Sequence, residues 1–123
     1  TVEKEVVISD RFVGADGKPV PFRIKALTQE ENDAIVRAAT RVEFKNGQRI
    51  ESLDSVEYAR RAVVAATVEP DFSSKELCDH FGVVSPQLVP GRMLLAGEYN
   101  RLLQEITALG APQAAALEQE VKN

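Results

Sequence analysis

The chain has 123 residues, a length that favours one domain over two and buries about two-thirds of its unfolded surface without disulfides or metals. Hydrophobic residues make up 44% and charged residues 28%, ordinary for a soluble globular protein, and the formal net charge of -4 argues against nucleic acid, whose binders carry a basic stripe. No apolar run approaches the ~18 residues that span a bilayer, and no charged-then-apolar leader opens the chain, which starts on Thr1 and leaves open what stands upstream. A single cysteine cannot form an internal bridge, a usage that fits a reducing compartment such as the cytoplasm.

Extended structure is expected first. A β-rich run begins at Val6, Val7 and Ile8 and reaches Phe12 and Val13; a second covers Val20 to Leu27, where Phe22 and Ile24 alternate with Arg23 and Lys25. Asp16-Gly17 between them is a tight-turn signal, and Pro19 and Pro21 suit an edge or a strand start because they carry no amide proton. Residues 5–27 are therefore predicted to form an antiparallel β-hairpin. Two strands alone are marginal in water, so this hairpin must pack on helices or gain strands from a partner chain.

Thr28 with Glu31 has capping-box spacing and opens a helix to about Thr40, with Ala34, Ile35, Ala38 and Ala39 as its apolar face. Periodicity fades over residues 41–53, which are assigned to a loop; the weak alternation of Val42, Phe44 and Ile50 around Asn46-Gly47 leaves a short hairpin as the alternative. Asp54 and Glu57 repeat the capping-box spacing ahead of the central helix, where Val56, Ala59, Val63 and Ala66 share a face that Ala62, Val64 and Ala65 widen. Pro70 disfavours helix at Glu69, so this helix should end near Thr67 or Val68 with Phe72 folding back on the core.

Ser73 with Glu76 starts a short helix through Leu77, Cys78 and Phe81, stopped by Gly82. Ser85-Pro86 starts another, with Leu88, Val89, Met93 and Leu94 apolar and Pro90-Gly91 splitting it. The last strong helix carries Tyr99, Leu102, Leu103, Ile106 and Leu109 on one face, and Gly110 ends it. A helical tail follows over 111–123. The expected architecture is α+β and mainly α: the N-terminal hairpin on four to five short helices, in a single domain over 1–123 whose helical core covers 28–110.

Residues suited to catalysis are scarce. Cys78 and His80 are two apart, which on a helix points them in different directions, and structural zinc needs four ligands where this chain has one cysteine and one histidine. The carboxylate pairs Glu30–Glu31, Glu69–Asp71 and Glu118–Glu120 read as helix starts or solvated faces, and the glycines are spread as turn residues with no phosphate-cradling cluster. Arg37, Arg41, Lys45 and Arg49 form the most basic stretch, which Glu43 and Glu51 interrupt. No catalytic residue, cofactor site or metal site is assigned, and binding is the remaining class of function.

Three phrases carry a resemblance. Phe22-Arg-Ile-Lys-Ala-Leu-Thr28 running into Glu31, Val64-Ala-Ala-Thr-Val-Glu-Pro-Asp-Phe72, and Leu94-Leu-Ala-Gly-Glu98-Tyr are similar to segments of the XkdN-like phage tail assembly chaperones of Gram-positive phages and prophages. The resemblance covers roughly residues 5–110, with Ala96 standing where that family is expected to place a proline before Gly-Glu. It implies a non-enzymatic helper of tail morphogenesis in the bacterial host cytoplasm, absent from the mature virion. The implied partners are the tape measure protein and the tail tube protein, with self-association open and neither nucleic acid nor membrane involved. A helical tape measure exposes apolar stripes that a helix-in-groove or strand-addition surface would mask. The expected partner-binding residues are Val6, Ile8 and Phe12 along the hairpin edge, with Phe72, Phe81, Leu88 and Leu95; the plain alternative is that these residues fill the domain's own core. Rival functions are a structural tail or head-tail connector subunit of the virion, and a small enzyme or ligand-binding domain, which would need a deep pocket with convergent polar groups.

Overall fold

In the computed structural model, which describes residues 2–111, strand β1 (Glu3–Val6) pairs antiparallel with β2 (Phe22–Lys25), from Glu3 opposite Lys25 to Val6 opposite Phe22. The N-terminal hairpin is present, but its ladder is shorter than the apolar pattern suggests and begins earlier, at Glu3. Pro19 and Pro21 interrupt it by removing donors, so residues 7–21 form a looser extension held by an isolated Val13–Pro19 bridge and a Val20 N–H bond of 2.7 Å to the Phe12 carbonyl. Gly17 turns the tip at φ 77°, where a side chain would be strained.

Helix α1 (Gln29–Ala39) starts in a complete capping box: Glu31 N–H donates to the Thr28 hydroxyl, and Thr28 N–H donates to the Glu31 carboxylate at 3.0 Å. Only Ile35 and Ala39 of its expected face are buried; Ala34 and Ala38 are exposed. The segment assigned to a loop is in fact a two-stranded ribbon. Strands β3 (Thr40–Lys45) and β4 (Gln48–Leu53) pair in unbroken register from Thr40 opposite Leu53 to Lys45 opposite Gln48. Asn46 at φ 52° and Gly47 at φ 77° make the two-residue turn that suits the right-handed twist of a hairpin. The alternation looked weak because the ribbon has no buried side: every residue after Thr40 is exposed.

Helix α2 (Ser55–Ala66) is the central one, packing against α1 and against every helical element that follows Pro86. Asp54 caps it by accepting from the Val56 and Glu57 amides, while Glu57 turns away to Arg61 instead of closing the box. Ala62, Val63 and Ala66 are its buried residues; Val56, expected on the same stripe, lies at the solvent end. The chain then leaves helix as β5 (Thr67–Glu69), which pairs with the free edge of β2 and completes a sheet of order β1-β2-β5. The strand that the N-terminal hairpin lacked therefore comes from the same chain. Arg23 ties this sheet together, reaching Glu69 of β5 at 2.7 Å and Glu3 of β1 at 3.6 Å.

Helix α3 (Lys75–Phe81) is capped by Ser74, one residue later than the sequence spacing suggested, and ends at Gly82 with φ 67°. A 3-10 turn (Pro86–Leu88) runs into α4 (Val89–Met93), and α5 (Ala96–Gly110) closes the described chain. The expected tail helix over 111–123 lies outside the described residues from Pro112 onward. One core joins Val6, Ile8, Phe22 and Ile24 of the N-terminal region to Val63, Phe72, Leu102 and Ile106 of the helical half. Phe72 sits at its centre with no exposure, its ring edge-on to Phe22 at 6.4 Å between centroids.

Candidate protein-binding surface

The seven residues singled out for partner binding separate by depth. Val6, Ile8 and Phe72 are buried in the core, so their side chains face this domain's own interior. Phe12 and Phe81 are half-buried and pack against that core. Leu88 is 40% exposed and Leu95 is 61% exposed. Apolar character alone could not distinguish these groups, because an inward strand face and a docking face use the same residues. Phe12 does keep an outer ring face: Arg11 lies over it at 4.9 Å from the centroid.

Leu95 stands between two lining residues, Leu94 and Ala96, of an apolar groove of about 480 Å³ formed by the first turns of α2, helix α4 and the first half of α5. Val56, Ala59, Leu94, Tyr99 and Leu103 line it, and Arg60 and Asn100 supply its polar rim. Val56 is 59% exposed here, a large apolar side chain in the first turn of a helix whose other end is buried. Partial burial pushes the Tyr99 hydroxyl pKa up, opposed by the nearby Arg60 charge.

The start of α5 is held rigidly. Leu95 has no side-chain acceptor, so Glu98 does the capping alone and accepts from the Leu95 amide at 2.8 Å. The same carboxylate receives a two-pronged bond from the Arg11 guanidinium, which also reaches the Met93 carbonyl at 3.3 Å. The Arg11 bonds, with the Ser9 hydroxyl and the Leu95 amide, hold the Glu98 pKa down from 4.5 to about 2. This fork ties the extension of the N-terminal hairpin to the α4–α5 corner, next to Leu95.

A second exposed apolar surface lies on the ribbon. Residues 40, 42 and 44 share a face with their cross-strand partners 53, 51 and 49, which puts Val42, Phe44 and Leu53 together, Phe44 being 73% exposed. The sequence reading preferred a loop here and kept the Asn46-Gly47 hairpin as the alternative, so this face was not singled out for binding. Among the described residues no three His, Cys, Asp or Glu side chains lie close enough to hold a metal ion. Cys78 is buried, with its sulfur 3.8 Å from the Phe72 carbonyl, while His80 is exposed and stacks edge-on against Phe81.

Comparison with known proteins gives the molecule its setting. The family model described as phage XkdN-like tail assembly chaperone protein matches residues 1–111. The phage-like element PBSX protein XkdN of Bacillus subtilis (strain 168) is 33% identical in an alignment spanning 100% of this chain and 88% of that protein. YqbN of the same strain, described as uncharacterized, is 38% identical over 84% of this chain and 70% of its own length. The crystal structure of the protein YqbN superposes with a TM-score of 0.76 at 32% identity, covering 91% of this chain and 87% of that one. Small antiparallel sheets on short helices, an exposed apolar groove and these matches agree, and the chain belongs to the XkdN-like phage tail assembly chaperone family, whose partners are in general phage tail proteins.

Proposed function

We propose that this chaperone works by binding alone, holding an apolar helical segment of a tail protein, the tape measure protein or tail tube subunits, until the tail assembles. The observation that carries this reading is the groove bounded by Val56, Leu94, Tyr99 and Leu103, with the exposed Leu95 next in sequence to lining residues Leu94 and Ala96. It is apolar, open along one side and rimmed by only a few polar groups, which suits an amphipathic helix laid into it. Leu88 and the outer face of Phe81 extend the apolar area on the neighbouring elements. Such a role needs no catalytic group, cofactor, nucleic acid or membrane, and it is exercised in the host cytoplasm before the virion is complete. No helix among the described residues is long and apolar enough to cross a membrane.

Co-expression with the tape measure protein of the same phage or prophage tests this directly. The expected result is a higher soluble yield of the tape measure and a complex that co-purifies through moderate salt. A tape measure that is equally soluble alone, with no tail protein co-purifying, would defeat the reading. Recovery of the chain in purified particles would favour the structural-subunit alternative instead.

A further inference from the structure

The β3–β4 ribbon is exposed from Arg41 to Leu53 and pairs with no third strand among the described residues, although two strands alone are marginal in water. Its outer edges are unprotected by proline or bulge, the condition under which a strand templates another. Because a two-residue turn makes Lys45 and Gln48 the closing hydrogen-bonded pair, bonding alternates back along the ladder, and Val42 and Phe44 direct N–H and C=O outward on β3. Thr40 offers outward only its carbonyl, since its N–H is taken by the Arg37 carbonyl at the end of α1.

We propose that β3 is a homodimer edge, pairing antiparallel with β3 of a second copy about a two-fold axis through Val42. Charge selects this register. Centred on Val42, Arg41 of each copy faces Glu43 of the other, Thr40 faces Phe44, and Val42 faces itself. Centred one residue on, at Glu43, the two glutamates would face each other and Arg41 would face Lys45. The centred pairing forms four backbone bonds, two between the Val42 residues and two from Phe44 N–H to the Thr40 carbonyl. It merges two ribbons into one four-stranded sheet whose Val42, Phe44 and Leu53 side chains lie on a common face.

Charge also distinguishes the two edges. On β4, Arg49 and Glu51 are already paired with each other, whereas Glu43 has no ion-pair partner among the described residues. Arg41 donates to Asp54 through one nitrogen, and its remaining donors are free to meet a second carboxylate.

The test is sedimentation equilibrium of the full chain from micromolar to millimolar concentration. The weight-average mass should rise toward twice that of one chain. Val42→Pro removes an outward amide while leaving the β3–β4 ladder intact, and should hold the protein monomeric with an unchanged circular dichroism spectrum. Arg41→Glu and Glu43→Lys should each weaken self-association by about tenfold, and mixing the two variants should restore a dimer because their charges then complement. Arg49→Glu on the other edge should leave association unchanged. A parent chain monomeric throughout, a dimer indifferent to Val42→Pro, or one lost on Arg49→Glu would each overturn the proposal. None of these outcomes bears on capture of a tail protein by the α2–α4–α5 groove.

Discussion

At the scale of single residues, depth and charge decide what each side chain does. Val63 is completely buried on the central helix, in the apolar core cluster. Val63→Asp should therefore unfold the domain, since an unpaired core charge costs several kcal/mol, about the whole stability of a domain this size. Thermal melting checks it, and a midpoint within a few degrees of the parent would contradict the placement of Val63. Glu98 yields a pH dependence. In the folded protein Arg11 and its neighbours keep Glu98 ionised down to about pH 2, whereas in the unfolded chain it takes up a proton near 4.5. Acid therefore favours the unfolded form, and this contribution, full above about pH 4.5, is lost as pH falls toward 2. Glu98→Gln should lower the urea midpoint at neutral pH and flatten its fall through that window. A parallel pH profile for parent and variant would show that the fork contributes nothing.

Among the elements, those with one buried side could be read ahead of the structure, and the element with none could not. The Phe22–Ile24 alternation, the Thr28–Glu31 capping box and the Gly82 stop all appear where local chemistry places them, because each is settled between residues within about one helical turn or two strand positions. Strand β5 was hidden, since three residues carry no period, and its pairing with β2 is a long-range choice made in the stretch between the end of α2 at Ala66 and Pro70. The ribbon was hidden for the opposite reason: with both faces in water, Val42 and Phe44 stand among charges and mimic a loop. The ribbon is also separable from the fold. The Asp54 N–H bonds the Ala39 carbonyl at 2.8 Å, so the two ends of the ribbon meet at its base. Replacing residues 41–52 by a short glycine-containing turn should keep the thermal midpoint within a few degrees while removing concentration-dependent association. Loss of the cooperative transition would mean that the ribbon supports α1 and α2 after all.

Over the whole molecule, the candidate surface was harder to read than the fold, and the reason is geometric. A sequence pattern reports that Phe72 and Leu95 are apolar, but only the packed fold tells that the first is buried against Phe22 and the second is exposed beside two residues that line a groove. The residues that define that groove, Val56 and Tyr99, were expected in the core because they continue helical stripes whose other members are buried. This separation makes the binding proposal decidable. Val56→Asp and Leu95→Asp place charges on solvent-exposed positions, so each should fold like the parent by circular dichroism and melt within a few degrees of it. Both should abolish recovery of the co-expressed tape measure, because a charge in a desolvated contact is left unpaired. For the parent complex, raising salt several-fold should weaken capture little, since apolar contact is not screened as exposed ion pairs are. Phe72→Ala is the necessary contrast, creating a cavity worth about 3–5 kcal/mol in the core and losing capture through instability. If the Val56 and Leu95 variants fold and still hold the tape measure, the groove is not the binding surface, and the exposed face of Val42, Phe44 and Leu53 becomes the next place to look.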